Sequence, residues 1–251
     1  MSAKPPFVLL HGGRHGGWCW KHVARMLRDE GHDVYTPTLT GLGERAHLLD
    51  REIGLDTHVA DLLGVFEAEE LDDVVLVAHS YGGMVACAAM EVLRERVRSL
   101  VLLDAHMPAE GQSVFDLVDP DKVRRIKELV ATEGEGWFVP VADSRWWGLS
   151  AEEDIRWVNA RVTPQPVRTY TDAVGPTDYA RNHPYTFIEC SESALAERER
   201  AWQRRRAVES RGGVRHVTIE GCHDVMVTEP RALADLLLTL VDPPAGAVRA
   251  A

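Results

Sequence analysis

Short runs of β-branched and leucine residues, most of them apolar on both faces, recur along this chain with helical patterns between them. They read FVLLHGG, HDVYTPTL, DVVLVAH, VRSLVLLDA, YTFIECS and VRHVTIEG. A strand that is apolar on both faces must be covered on both, and a helix between successive strands makes them parallel. The pattern predicts one mostly parallel sheet of about six strands with helices on either side. WKHVARMLRDEGH reads as an amphipathic helix stopped by Gly31. DTHVADLLGVFEAEEL is a second, with Asp56 as N-cap and Leu55, Val59, Leu62, Leu63 and Phe66 on one face. GMVACAAMEVL and the charged ALAERERAWQRRRAVE follow, and EPRALADLLLTLV closes the series with Thr228 as N-cap candidate and Pro230 in its first turn. From about 108 to 184 the rhythm breaks, and Trp137, Phe138, Trp146, Trp147 and Trp157 stand among prolines and short helical patterns. That stretch predicts a cap inserted over one end of the sheet, within a single domain spanning 1–251. The tail from about 242 to 251 is expected to be disordered.

One junction carries chemistry. In VVLVAHSYGGMVACAAM a buried strand passes through a sharp turn into a helix, with Ala78 two residues before Ser80 and Gly82 two after it. Small residues at those places let strand and helix backbones pass closely, and the turn lifts the hydroxyl above the carboxyl end of the sheet. The helix N-terminus adds free N–H groups and a favourable dipole. Such a hydroxyl needs a base to become a nucleophile. Of eleven histidines, His223 directly follows the strand VRHVTIEG and precedes the last helix, which sets it at the same end of the sheet. His79 adjoins the serine in sequence and should point away from it, in a structural role. His11 and His15 lie in a glycine loop without a carboxylate-rich third ligand, so no metal is expected. That loop, LLHGGRHGG, lets the backbone approach a substrate, and the N–H groups of Gly13 and Tyr81 would form an oxyanion hole.

Charge and cysteine usage bound the partners. A formal charge of −11 opposes binding to nucleic acid or an anionic membrane surface. Cys19, Cys87, Cys190 and Cys222 are scattered without a C-x-x-C pair, which fits reduced thiols in a cytoplasmic protein. The apolar run near the N-terminus is too short for a signal peptide, and no stretch has the length of a membrane span. The expected partner is a small ester-like molecule, with room left for a homodimer.

These residues resemble the α/β-hydrolase superfamily in the order nucleophile, acid, histidine. More narrowly, FVLLHGGRHGGWCW, AHSYGGMV and GCHDVMVTEP look like the plant methylesterase and hydroxynitrile lyase family and its bacterial esterase relatives. The resemblance implies an α/β-hydrolase fold with a small cap, Ser80 as nucleophile, His223 as base, Gly13 and Tyr81 as oxyanion donors, and no cofactor. It is strong up to about Pro108 and loose through the cap. The lyase branch carries a threonine and a lysine where this chain has Gly12 and Asp224, so the hydrolytic branch is favoured. The family's acid usually follows the strand TFIECS, yet that loop reads SESALAE here and holds only Glu192 nearby. Asp104, which closes SLVLLD, is the other candidate and the preferred one. The expectation is a serine carboxylesterase acting on a hydrophobic or aromatic small molecule. A non-hydrolytic lyase or cyclase on the same scaffold, and a small-molecule binding protein, stand as alternatives.

Overall fold

A computed structural model describes residues 4–177, 182–209 and 213–242. The predicted tail from about 242 onward lies almost wholly outside the described residues. β1 (Phe7–Leu10) is fully buried and leads through a 3₁₀ turn at Gly17–Trp20 into α1 (Lys21–Asp29). Gly31 follows this helix with a φ of +85°, the left-handed conformation that ends helices and that glycine adopts without penalty. β2 is only Val34–Tyr35, shorter than the sequence pattern predicts, because Pro37 interrupts the run and brings no N–H to a ladder. α2 (Leu55–Ala68) buries Leu55, His58, Leu62 and Phe66.

The N-cap of α2 is Gly54, and Asp56 lies inside the first turn. The cap expected from Asp56 is supplied from far along the chain, since Asp172 accepts the Leu55 N–H at 3.1 Å. A Cβ on residue 54 would meet that carboxylate, so any larger residue there would have to displace the oxygen that caps the helix. Distant carboxylates of this kind are invisible to a local capping rule.

β3 (Val74–His79), α3 (Gly82–Leu93) and β4 (Val97–Leu103) follow in close succession. The chain then leaves the sheet through α4 (Val114–Leu117), α5 (Pro120–Thr132), β5 (Phe138–Val139), α6 (Glu152–Asn159), β6 (Gln165–Pro166) and α7 (Arg168–Thr171). β5 and β6 form a small antiparallel pair of their own. The chain returns as β7 (Tyr185–Glu192), α8 (Glu197–Glu209) and β8 (Val214–Cys222). It ends in a short α9 (Val225–Thr228) and α10 (Pro230–Thr239). Glu229, not Thr228, occupies the N-cap of α10. Thr228 instead closes α9 and sets its hydroxyl against Cys222 at 3.8 Å.

The six main strands are parallel in the order β2-β1-β3-β4-β7-β8. The order reverses about β1, so the loops after β1 and β3 diverge and open a crevice at their carboxyl ends. Two apolar layers hold the sheet. Leu62, Phe66, Met84 and Leu102 belong to one, and Trp20, Leu27, Val101 and Leu237 to the other. Full burial of such a side chain stabilises the fold by about 1.5–3 kcal/mol. The two layers therefore fix the strand ends that carry the site.

Candidate active site

Only Ser80 and Tyr81 separate β3 from α3, and Ser80 takes a φ of +51°. A left-handed serine costs of order 1–3 kcal/mol and persists only where neighbours over-determine it. Here the Ser80 N–H donates to the Leu103 carbonyl at 3.3 Å. Its own carbonyl accepts from Gly83 at 3.0 Å and from His106 at 3.2 Å. A Cβ on Gly83 would lie 2.1 Å from the His106 carbonyl, so glycine is what allows α3 to begin this close to β4.

The loop after β8 brings His223 to the serine. Its Nε2 lies 2.9 Å from Ser80 Oγ, and its Nδ1 lies 2.5 Å from Asp104 Oδ2. Asp104 follows β4 with a φ of +42° and is fully buried. Its second oxygen accepts from the Ser193 hydroxyl at 2.5 Å. Burial works to raise the Asp104 carboxyl, but the His223 and Ser193 hydrogen bonds outweigh it and hold the group below the ordinary aspartate value. Glu192, the other sequence candidate, is exposed at the end of β7, and Asp104 is the carboxylate set against the imidazole. Sequence reasoning missed Ser193. It lies in the loop searched for an acid, where a hydroxyl that supports an acid carries no signal of its own.

The His223 backbone is held from both sides. Its N–H donates to the Trp147 carbonyl at 3.1 Å, and its carbonyl accepts from His79 Nε2 at 2.9 Å. His79 thus faces away from the serine and supports the base from behind. Burial drives its imidazole well below the ordinary histidine value, so it donates from Nε2 as a neutral ring.

The glycine loop after β1 is oriented by two more histidines. Leu39 N–H donates to His11 Nε2 at 3.1 Å, which leaves the hydrogen on Nδ1 to donate to the Gly12 carbonyl at 2.7 Å. Burial pushes His11 down to about 3, so this neutral tautomer holds and the plane of the Gly12–Gly13 peptide is fixed. His15 joins the Gly13 carbonyl at 2.8 Å to Asp224 at 3.1 Å. Asp224 is fully buried. Burial works to raise its carboxyl, but the neighbouring His15 holds it below the ordinary value. A Cβ on Gly12 would lie 2.9 Å from Ser80 Cβ, so no larger side chain fits beside the serine. Tyr81 is anchored through its hydroxyl to His58 Nδ1 at 2.8 Å.

Ser80, His223, Gly13 and Tyr81 all line one cavity of about 370 Å³, together with Trp146 and Trp147 from the excursion between β4 and β7. Arg125 lies over Trp146 at 4.1 Å and Arg14 over Trp147 at 4.9 Å. Tyr170 of the same segment joins this wall, whereas Trp137 packs on Phe138 and Trp157 on Trp18. Among the described residues no group of three or more His, Cys, Asp or Glu side chains could hold a metal ion. No helix there is long and apolar enough to cross a membrane.

Comparison with known proteins follows the same lines. A family model described as "Alpha/beta hydrolase family" matches residues 7–236. The carbendazim hydrolyzing esterase of Nocardioides sp. (strain SG-4G) is 44% identical over 174 residues, 65% of this chain and 70% of that protein. Esterase PIR7B of Oryza sativa subsp. japonica is 25% identical over 264 residues, 96% of this chain and 97% of its own, and plant methylesterases are among the further matches. An extracellular alpha/beta-hydrolase from a Paenibacillus species superposes with a TM-score of 0.79 at 19% identity, covering 94% of this chain and 98% of that one.

Proposed function

This chain belongs to the alpha/beta hydrolase family, with plant methylesterases and bacterial esterases among its relatives, and we propose that it is a serine esterase. It cleaves an ester or related acyl bond of a hydrophobic or aromatic small molecule through an acyl-enzyme. The observation that carries this reading is one continuous chain of short contacts, from Ser80 Oγ through both nitrogens of His223 to Asp104.

In the proposed reaction Ser80 Oγ attacks the acyl carbon while its proton passes to His223 Nε2. The carbonyl oxygen becomes an oxyanion that accepts from the N–H groups of Gly13 and Tyr81. Collapse breaks the bond to the leaving alcohol, which takes the proton from Nε2. Water then attacks the acyl-enzyme with His223 again as base, and the acid is released with Ser80 restored. Throughout, Asp104 fixes the Nδ1–H tautomer and stabilises the imidazolium in each half-reaction. The excursion between β4 and β7 acts as a cap that shapes the acyl and alcohol subsites.

Two measurements test the proposal together. A fluorophosphonate should add once, on the peptide containing Ser80, and abolish turnover of p-nitrophenyl esters. A protein that keeps hydrolysing these esters with Ser80 unmodified would overturn it.

A further inference from the structure

A second histidine–carboxylate pair adjoins this cavity, outside the machinery just described. His106 lies two residues beyond Asp104 and lines the cavity that also contains Ser80. Its Nδ1 sits 3.1 and 3.0 Å from the two oxygens of Glu199, which arrives from α8. Both residues are only 7% exposed. A carboxylate can only accept, so the Nδ1 hydrogen points to Glu199 and away from the cavity. Nε2 has no hydrogen-bond partner among the described residues, and yet His106 forms part of the cavity wall. Apolar side chains such as Val114, Val118, Ile126 and Leu195 share that wall. A ring N–H left over in the wall of an open cavity can donate to water or to an acceptor on whatever molecule occupies it.

We propose that His106, oriented by Glu199, is a substrate-binding residue whose Nε2–H donates to a hydrogen-bond acceptor on the substrate body. The chemical class it selects is therefore an ester that also carries a carbonyl oxygen or an aromatic ring nitrogen, in preference to the hydrocarbon ester of the same shape. The electrostatics agree with donation. Burial disfavours the imidazolium, but the charge and hydrogen bond of Glu199 outweigh it and raise His106 above its ordinary value, which favours a hydrogen on both nitrogens. The backbone adds precision, because the His106 N–H donates to the Ser80 carbonyl and thereby ties this residue to the turn bearing the nucleophile.

This inference deepens the esterase reading and rests on it for the kinetic arm of its test. The probes are methyl quinoline-2-carboxylate and methyl 2-naphthoate, which differ by one ring nitrogen and hardly in shape. The parent enzyme should prefer the quinoline ester in kcat/KM. His106→Phe should lower that preference about tenfold, as expected for losing one charge-assisted hydrogen bond. His106→Gln, which keeps a donor, should retain most of the preference. In His106→Phe the quinoline ester should lose far more kcat/KM than the naphthoate, a split that a general folding defect would not produce. Binding of the two probes to Ser80→Ala, followed by calorimetry, asks the same question without turnover. If the parent hydrolyses no ester but Ser80→Ala still discriminates the probes through His106, the esterase reading fails and this one stands. An unchanged quinoline-to-naphthalene ratio in His106→Phe, in kinetics or in binding, overturns the assignment of His106.

Discussion

Asp104 and His223 meet at 2.5 Å although 119 residues separate them, because parallel strands deliver the ends of β4 and β8 to the same edge of the sheet. Glu192 ends a strand at that edge too, but it is solvent-exposed. Asp104→Asn should therefore lower kcat by about 10² or more with little change in KM, as expected for an acid that orients and stabilises the base. Glu192→Gln should stay within about threefold of the parent, because that charge is exposed and the imidazole Nδ1 is already taken by Asp104. Thermal melts of both variants separate lost chemistry from lost folding. A well-folded, inactive Glu192→Gln beside a normal Asp104→Asn would reverse the assignment.

His15 and Asp224 form a fully enclosed pair at 3.1 Å, with side-chain exposures of 2% and 0%. Removing one partner of such a pair leaves the other buried without compensation. Asp224→Ala should destabilise the fold by about 3–5 kcal/mol in urea unfolding. The double variant His15→Phe/Asp224→Ala should lose much less than the sum of the two single losses. Additive losses would mean that the pair is not coupled.

Acid should weaken the fold well before it titrates the carboxylates. Burial holds His11 at about 3, His58 at about 4 and His79 well below the ordinary value of 6.5. In the unfolded chain these rings bind protons near pH 6.5, so below that pH the unfolded state takes up more protons than the native one. Stability then falls with decreasing pH, by about 1.4 kcal/mol per pH unit for each such histidine until its folded value is reached. Asp104 and Asp224, whose carboxyls are depressed in the fold, add a further loss as pH drops through their own values. His106 is shifted the other way, and its contribution declines only above the ordinary histidine value. Urea midpoints at pH 7, 6 and 5 should decline steeply, and His58→Gln should flatten the slope. A midpoint constant from pH 7 to 5 would contradict this account.

Cyanohydrin cleavage should be absent. The position after His223 holds Asp224, a buried anion paired with His15, where the lyase branch carries a lysine to meet departing cyanide. Position 12 has no space for a threonine against Ser80. Incubation with mandelonitrile should release benzaldehyde no faster than buffer alone. Enzyme-dependent release that disappears in Ser80→Ala would refute this.

The parts legible in the sequence were those encoded by neighbours along the chain. Ser80 is flanked by the small residues its turn requires, and His223 directly follows an apolar strand, so both were readable. The sheet was readable because a strand buried on both faces leaves an unbroken apolar run. Asp104 emerged only as one of two acids, since the choice depends on which strand end faces the imidazole. Ser193, the His15–Asp224 pair and the His106–Glu199 pair were not readable. Each joins segments 89 or more residues apart, and a polar side chain shows no local trace of a distant partner. The caps assigned to Asp56 and Thr228 failed for a related reason. Asp172 reaches the start of α2 across the tertiary structure, and a four-residue helix intervenes before α10.

The hydrogen bond from the His223 N–H to the Trp147 carbonyl makes the segment over the sheet and the loop bearing the base one mechanical unit. Trp147 also packs edge-on against His15, which holds the Gly13 carbonyl. Swinging that stretch outward would drag the imidazole and unsettle the glycine loop at the same moment. A change in that stretch is therefore felt by the base and by the glycine loop together. Grafting a foreign segment between β4 and β7 to change selectivity will cost turnover, however well the new pocket fits, unless residue 147 keeps its place.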